Sequence, residues 1–71
     1  MTTEQLLAKV EAAQGSIVEA SISNGLLRST HWLSFWKGRF YDEGCDSVRR
    51  RVSRKMMLMF YPVANWKVDD I

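Results

Sequence analysis

Cys45 and His31 are each the only residue of their kind in the chain, and this narrows what the sequence can fold into more than any other feature. A lone thiol closes no internal disulfide, and one Cys with one His cannot complete a closed four-ligand zinc site. A chain of 71 residues usually needs such a staple, because at this size only about 60% of the unfolded surface is buried on folding. Two routes remain: a core packed well by large side chains, or a partner subunit that completes it. Three Trp, three Phe, two Tyr and four Met suit either route.

Residues 1–71 have room for one domain. Apolar residues are 46% and charged residues 25%, the balance of a chain that folds rather than one that stays disordered. The longest apolar run, 56–61, is far too short to span a bilayer. Met1-Thr2-Thr3-Glu4-Gln5 lacks the basic start and apolar stretch of a secretory signal. With the lone thiol, these features point to the cytoplasm.

Thr2 followed by Gln5 reads as a capping box, with Glu4 in the first turn where the helix dipole favours a carboxylate. Leu6, Leu7, Val10 and Ala13 then share one helical face, and Gly15 is a C-terminal stop. The spacing predicts an amphipathic helix over residues 3–14. Residues 16–23 are short and partly β-branched, and Asn24-Gly25 suits a type I′ hairpin turn before a returning strand over 26–30. Residues 30–41 fit two patterns. Trp32, Phe35, Trp36 and Phe40 follow helical spacing, yet the aromatic content favours strands over 32–36 and 39–42 joined by a tight turn at Lys37-Gly38. The second pattern is preferred. Residues 42–47 read as a loop. Asp46 or Ser47 can cap a helix over 47–60 that buries Val48, Val52, Met56, Met59 and Phe60, turns its arginines outward and stops before Pro62. Residues 63–71 form a short strand or tail anchored by Trp66. The expected fold is α+β: an N-terminal helix, an antiparallel β-meander of three or four strands, and a C-terminal helix packed on one face.

Catalysis has little to draw on. A nucleophile needs a base within hydrogen-bond reach and a third group to orient that base. His31, among Trp32, Leu33 and Phe35, reads as a half-buried structural side chain, and Cys45 as an inert thiol. Asp42, Glu43 and Asp46 lack the spacing of a calcium loop. The four glycines are scattered and form no phosphate loop. No catalytic residue, metal site, cofactor or small-molecule substrate is expected.

Two features point to binding. The first is charge. The net charge is only +2, but Arg49-Arg50-Arg51-Val52-Ser53-Arg54-Lys55 concentrates five cations, and Arg28, Lys37 and Arg39 can extend the patch. On a helix these residues can lie along phosphates or enter a groove. The second is a surplus of large apolar groups. One face per element cannot hide Trp32, Phe35, Trp36, Phe40, Tyr41, Trp66 and the whole 56–60 run, so some must be exposed or covered by a partner. The leading expectation is a small non-enzymatic interaction protein, an adaptor or inhibitor of the kind found among phage and mobile-element accessory proteins. It would dock a larger protein, or a second copy, through Trp32, Trp36, Met57 and Leu58, with Arg50, Arg51 and Arg54 as a basic rim. The rival is a dimeric nucleic-acid-binding regulator that uses Arg49, Arg50, Arg51, Arg54 and Lys55 on the helix, or stacks single-stranded bases on sheet aromatics.

Overall fold

Thr2 fixes the start of the first helix. Its hydroxyl accepts the Gln5 N–H at 3.2 Å, while the Gln5 side-chain carbonyl accepts the Thr2 N–H at 2.9 Å, completing the expected capping box. The computed structural model describes residues 1–24, 27–44, 48–62 and 65–68, the side chains of Asn24 and Leu27 excepted. In it this helix is α1, Thr3–Ala12, and it buries Leu6, Leu7 and Val10 completely. Ala13 is the C-cap, and Gln14 (φ 44°) and Gly15 (φ 90°) turn the chain away. Gly15 is constrained twice: its φ is left-handed, and a Cβ there would stand 3.2 Å from Cε3 of Trp36.

Five antiparallel strands follow: β1 (Val18–Asn24), β2 (Leu27–Trp36), β3 (Arg39–Glu43), β4 (Arg49–Val52) and β5 (Trp66–Val68). They lie in the order β4-β3-β2-β1-β5. Residues 30–41 are therefore strand, the preferred of the two patterns. Trp36 pairs with Arg39 across the expected Lys37-Gly38 turn, where φ is 50° and 77°, both positive as a type I′ turn needs. In the first hairpin Asn24 pairs with Leu27, so the connection is residues 25–26, one position later than Asn24-Gly25; these two residues lie outside the described set. The strand count is five rather than three or four, because β4 and β5 each claim an edge.

The largest departure is at residues 47–60. The spacing predicts one helix there, but Arg49–Val52 is strand β4, paired with β3 from Phe40↔Val52 to Glu43↔Arg49. Helix α2 is only Arg54–Phe60, capped by Ser53, whose hydroxyl accepts the Met56 N–H at 3.0 Å. The end at Ser47 lies outside the described residues. Val48, Val52 and Met56 share a face only if one unbroken helix joins them. Pairing on the free edge of β3 satisfies the backbone of 49–52 instead, and Ser53 resets the helical phase. As a result Met57 is buried (4% exposed) and Leu58 packs half-buried at the core, while Met56, Met59 and Phe60 (62% and 63% for the last two) face out. This reverses the expected facing: Met57 is core rather than a surface anchor, and Met59 and Phe60 are surface rather than core.

Directly paired residues point to the same side of a sheet, and successive residues to opposite sides. One side carries Val18, Ala20, Ile22, Leu33, Phe35, Phe40, Val52, Trp66 and Val68, packed with Leu6, Leu7, Val10 and Met57 of the two helices. Both helices therefore cover one face. Among the described residues no helix is long and apolar enough to cross a membrane. Met57→Ala is expected to lower unfolding free energy by about 2–5 kcal/mol, and Met59→Ala to change it by less than about 0.5 kcal/mol. Urea titration followed by circular dichroism measures both. The reverse ranking belongs to the continuous 47–60 helix.

Candidate functional site on the open face of the sheet

The register that builds the core also builds the opposite face. Glu19, Ser21 and Ser23 of β1, Arg28, Thr30, Trp32, Ser34 and Trp36 of β2, Arg39, Tyr41 and Glu43 of β3, Arg49 and Arg51 of β4, and Lys67 of β5 all point away from the helices. Among the described residues, five cations share this face with two carboxylates, and three aromatic side chains stand among them.

The small residues set the relief of the surface. Ser34 sits between Trp32 and Trp36 on β2 and directly across from Tyr41, and it is buried although α1 and α2 both lie on the other side of the sheet. Ser21 is buried in the same way, beside Arg28, whose Nη2 donates to Ser21 Oγ at 3.2 Å. The large side chains thus stand up around short ones. Trp36 is 52% exposed, one flank resting at Gly15; Trp32 and Tyr41 are half-buried. The Arg49 guanidinium lies 5.6 Å from the Tyr41 ring centroid, within cation–π range. From strand rise and spacing, Tyr41 is offset from each Trp by about 8 Å, in a zigzag across β2 and β3.

Charge is not uniform over this face. Trp32 is paired with Glu19 on one side and Glu43 on the other. Trp36 is paired with Arg39, and Tyr41 with Arg51. Glu43 is in turn paired with Arg49. The positive potential therefore gathers at the Trp36–Tyr41 end and along β4.

The expected site residues divide between the layers. Trp32, Trp36, Arg28, Arg39, Arg49 and Arg51 meet on the open face. Arg50 is on the helix side, paired with Asp42 across the β3–β4 ladder. Arg54 is on α2, and its Nη2 is 3.2 Å from Glu4 Oε1, an exposed ion pair between the helices. Lys55 is exposed on α2, and Lys37 is in the β2–β3 turn. Met57 and Leu58 belong to the core on the helix side, the opposite side of the sheet from Trp32 and Trp36. Tyr41 stands among the surplus aromatics of the sequence but not among its site residues, and Lys67 is not singled out there; the strand pairing puts both on the open face, Tyr41 across from Ser34 and Lys67 across from Ser21. His31 is half-buried on the helix side, as expected of it. Cys45 and Asp46 lie outside the described residues. Among the described residues, no three His, Cys, Asp or Glu side chains cluster as a metal site requires.

Comparisons with protein-family models, curated proteins and solved structures give no match for this chain. The geometry of the open face thus stands alone as the guide to function. Because the Arg54–Glu4 pair is exposed, Arg54→Ala is expected to lower stability by less than about 1 kcal/mol, read by thermal unfolding. A larger loss implies that Arg54 carries packing its position does not suggest.

Proposed function

We propose that the protein is a single-stranded nucleic-acid-binding protein that uses the open face of its sheet. One observation carries this reading: Trp32, Trp36 and Tyr41 share a helix-free face with Arg28, Arg39, Arg49, Arg51 and Lys67. Aromatic rings accept any base face by stacking, and guanidinium groups hold the intervening phosphates. The zigzag spacing of about 8 Å suits unstacked bases on an extended strand far better than bases stacked about 3.4 Å apart along each strand of a duplex. A duplex also hides its base faces, and its major groove admits a helix or a two-stranded ribbon rather than a broad sheet. A groove-reading helix built on the arginine run does not exist, since Arg49–Val52 is a strand. Glu19 and Glu43 repel phosphate around Trp32, so the backbone of the ligand runs by Arg39 and Arg51, with Trp36 and Tyr41 as the principal stacking partners. The reading goes with a cytoplasmic location, where nucleic acid is at hand and a lone thiol stays reduced.

The test is fluorescence anisotropy with labelled single-stranded DNA and RNA 12-mers, against the same sequence as duplex. Single strands are expected to bind more tightly, with affinity falling as salt rises. Trp36→Ala is expected to cost about 1–3 kcal/mol of binding. Replacing Arg39 and Arg51 together by Ala is expected to flatten the slope of log K against log salt by about 0.7 for each phosphate that is no longer neutralised. Arg54→Ala is expected to leave binding unchanged. Equal affinity for duplex and single strand overturns the stacking mechanism, and no binding at low salt overturns the whole reading.

A second reading is favoured by a different surface. Met56, Met59 and Phe60 are exposed together on the outer side of α2, and apolar groups at this spacing suit a protein partner or a second copy of the chain. This is the adaptor or inhibitor expectation with its anchors moved from Met57 and Leu58 to their neighbours. If α2 mediates self-association, Phe60→Asp is expected to convert a dimer to monomer in analytical ultracentrifugation while circular dichroism stays native. A wild-type chain that is monomeric at high concentration leaves only a foreign partner for this surface.

A further inference from the structure

On the helix side of the sheet, away from the proposed nucleic-acid face, three hydrogen-bonding groups converge on one imidazole. His31 Nδ1 lies 2.7 Å from Asp42 Oδ2. His31 Nε2 lies 3.1 Å from Ser29 Oγ and 3.4 Å from Tyr61 Oη. Strand geometry brings these groups together. Ser29 and His31 are two residues apart on β2 and so share a face, and Asp42 is on that same face of β3, directly across from Leu33. The ring is held edge-on by Tyr61 at 5.8 Å and Trp66 at 5.4 Å between centroids. The His31 and Asp42 side chains are 17% and 20% exposed, while Ser29 is open to solvent.

The chemistry follows from which nitrogen carries the proton. A carboxylate accepts only, so Asp42 selects the tautomer with hydrogen on Nδ1. That leaves the Nε2 lone pair facing two hydroxyls, of which the Ser29 hydroxyl is the closer. Nucleophile, base and orienting carboxylate are then in series, which is the arrangement that activates a serine. We propose that Ser29 is an activated nucleophile, with His31 as its general base and Asp42 as the residue that positions His31, and that it takes an acyl group from activated esters. Ser29 Oγ bonds to the ester carbonyl carbon as its proton passes to His31 Nε2. The bond from that carbon to the leaving oxygen breaks, and the departing alkoxide or phenoxide takes the proton from Nε2. Water, deprotonated by the same nitrogen, then hydrolyses the acyl-Ser29 ester and restores the hydroxyl. The Tyr61 hydroxyl, 3.4 Å from the same nitrogen, serves as the donor to the developing oxyanion. A single such donor gives weaker stabilisation than the paired donors of an efficient acyl-transfer site. A phenolate leaves readily, whereas the alkyl ester on Ser29 is cleaved slowly, so the acyl-protein accumulates. The activity is close to stoichiometric, which is compatible with a protein whose main role is binding.

The experiment treats the full chain with p-nitrophenyl acetate and, separately, with a fluorophosphonate. In the second reaction Ser29 Oγ bonds to phosphorus, fluoride leaves, and the Ser29 proton goes to His31 and on to solvent. The expected result is a burst of about one equivalent of p-nitrophenolate followed by a slow phase, and a single phosphonyl adduct that peptide mapping places on Ser29. Ser29→Ala, at an exposed position that leaves the fold undisturbed, is expected to abolish both. His31→Gln is expected to slow labelling about 10²–10⁴-fold, and Asp42→Asn to slow it as well, with circular dichroism confirming that each variant is folded. No adduct overturns the proposal, as does an adduct on any other residue. Labelling of Ser29 that is unchanged in a folded His31→Gln or Asp42→Asn protein also overturns it, since the imidazole is then structural only. If His31→Gln fails to fold, Ser29→Ala and Asp42→Asn still decide.

Discussion

A short relay of hydrogen bonds ties Met1 and Thr3 to Tyr61 and Trp66, and the rest of the fold depends on it. Trp66 Nε1 donates to Thr3 Oγ1 at 3.0 Å, and Thr3 Oγ1 donates to the Tyr61 carbonyl at 2.6 Å. The main chain repeats the connection: Trp66 N donates to the Met1 carbonyl at 2.7 Å, and Met1 N to the Trp66 carbonyl at 2.9 Å. Trp66 is almost wholly buried. A hydrogen bond of this kind contributes only about 1 kcal/mol net, but leaving a buried indole N–H unpaired costs more than that. The relay therefore dictates where Trp66 can go. It draws β5 onto β1, so that β1 lies inside the sheet, and it holds the start of α1 against the end of α2. In a chain that closes no internal disulfide, this link between residues far apart in sequence takes the place of a staple.

Because both helices are tied to the same strand, they lie on the same side of the sheet. The apolar residues of alternate positions are used up there, in one layer with Leu6, Leu7, Val10 and Met57. What remains on the other side is set by parity rather than by any local signal. It happens to be rich in Trp, Tyr and Arg, with serines between them. The open face is thus a by-product of closing the core, and its character comes from which residues occupy the odd or even places of each strand. The same parity puts Ser29, His31 and Asp42 together on the covered side, at the margin where Tyr61 and Trp66 leave a hydroxyl within reach of solvent.

Features governed by a few neighbouring residues are legible in the sequence. The Thr2–Gln5 capping box, the Leu6, Leu7 and Val10 stripe and the Lys37-Gly38 turn each rest on interactions within one or two turns of chain. The α+β class follows from them, and so do the aromatic strands. The Arg49–Val52 segment reads as helix from its sequence because its choice between helix and strand is made by β3, which offers an unpaired edge that no short window of sequence can display. That single error carries the phase of α2 with it and exchanges Met57 for Met59 and Phe60. The candidate site is half legible. Residue type picks out Trp32, Trp36, Arg28, Arg39, Arg49 and Arg51, but it groups Met57 and Leu58 with them and leaves Tyr41 in the general aromatic surplus, since only strand register assigns a side. The half-buried position of His31 is legible too. Its hydrogen bonds to Asp42 and Ser29 depend on the β2–β3 register, so the sequence holds the residues but not their meeting.

The two edges of the sheet finish the chain in different ways, and this bears on how it behaves when crowded. β5 is three residues long and offers little backbone to pair with. β4 presents Arg49, Arg50 and Arg51 in succession. A second β4 approaching to extend the ladder brings the arginines of the two strands close together, and such repulsion, like shortness, is a known guard against strand-by-strand growth. The arginines that give the open face its potential therefore also cap the sheet, so the molecule can carry a broad, aromatic, uncovered β-surface without that surface becoming the template for a fibril.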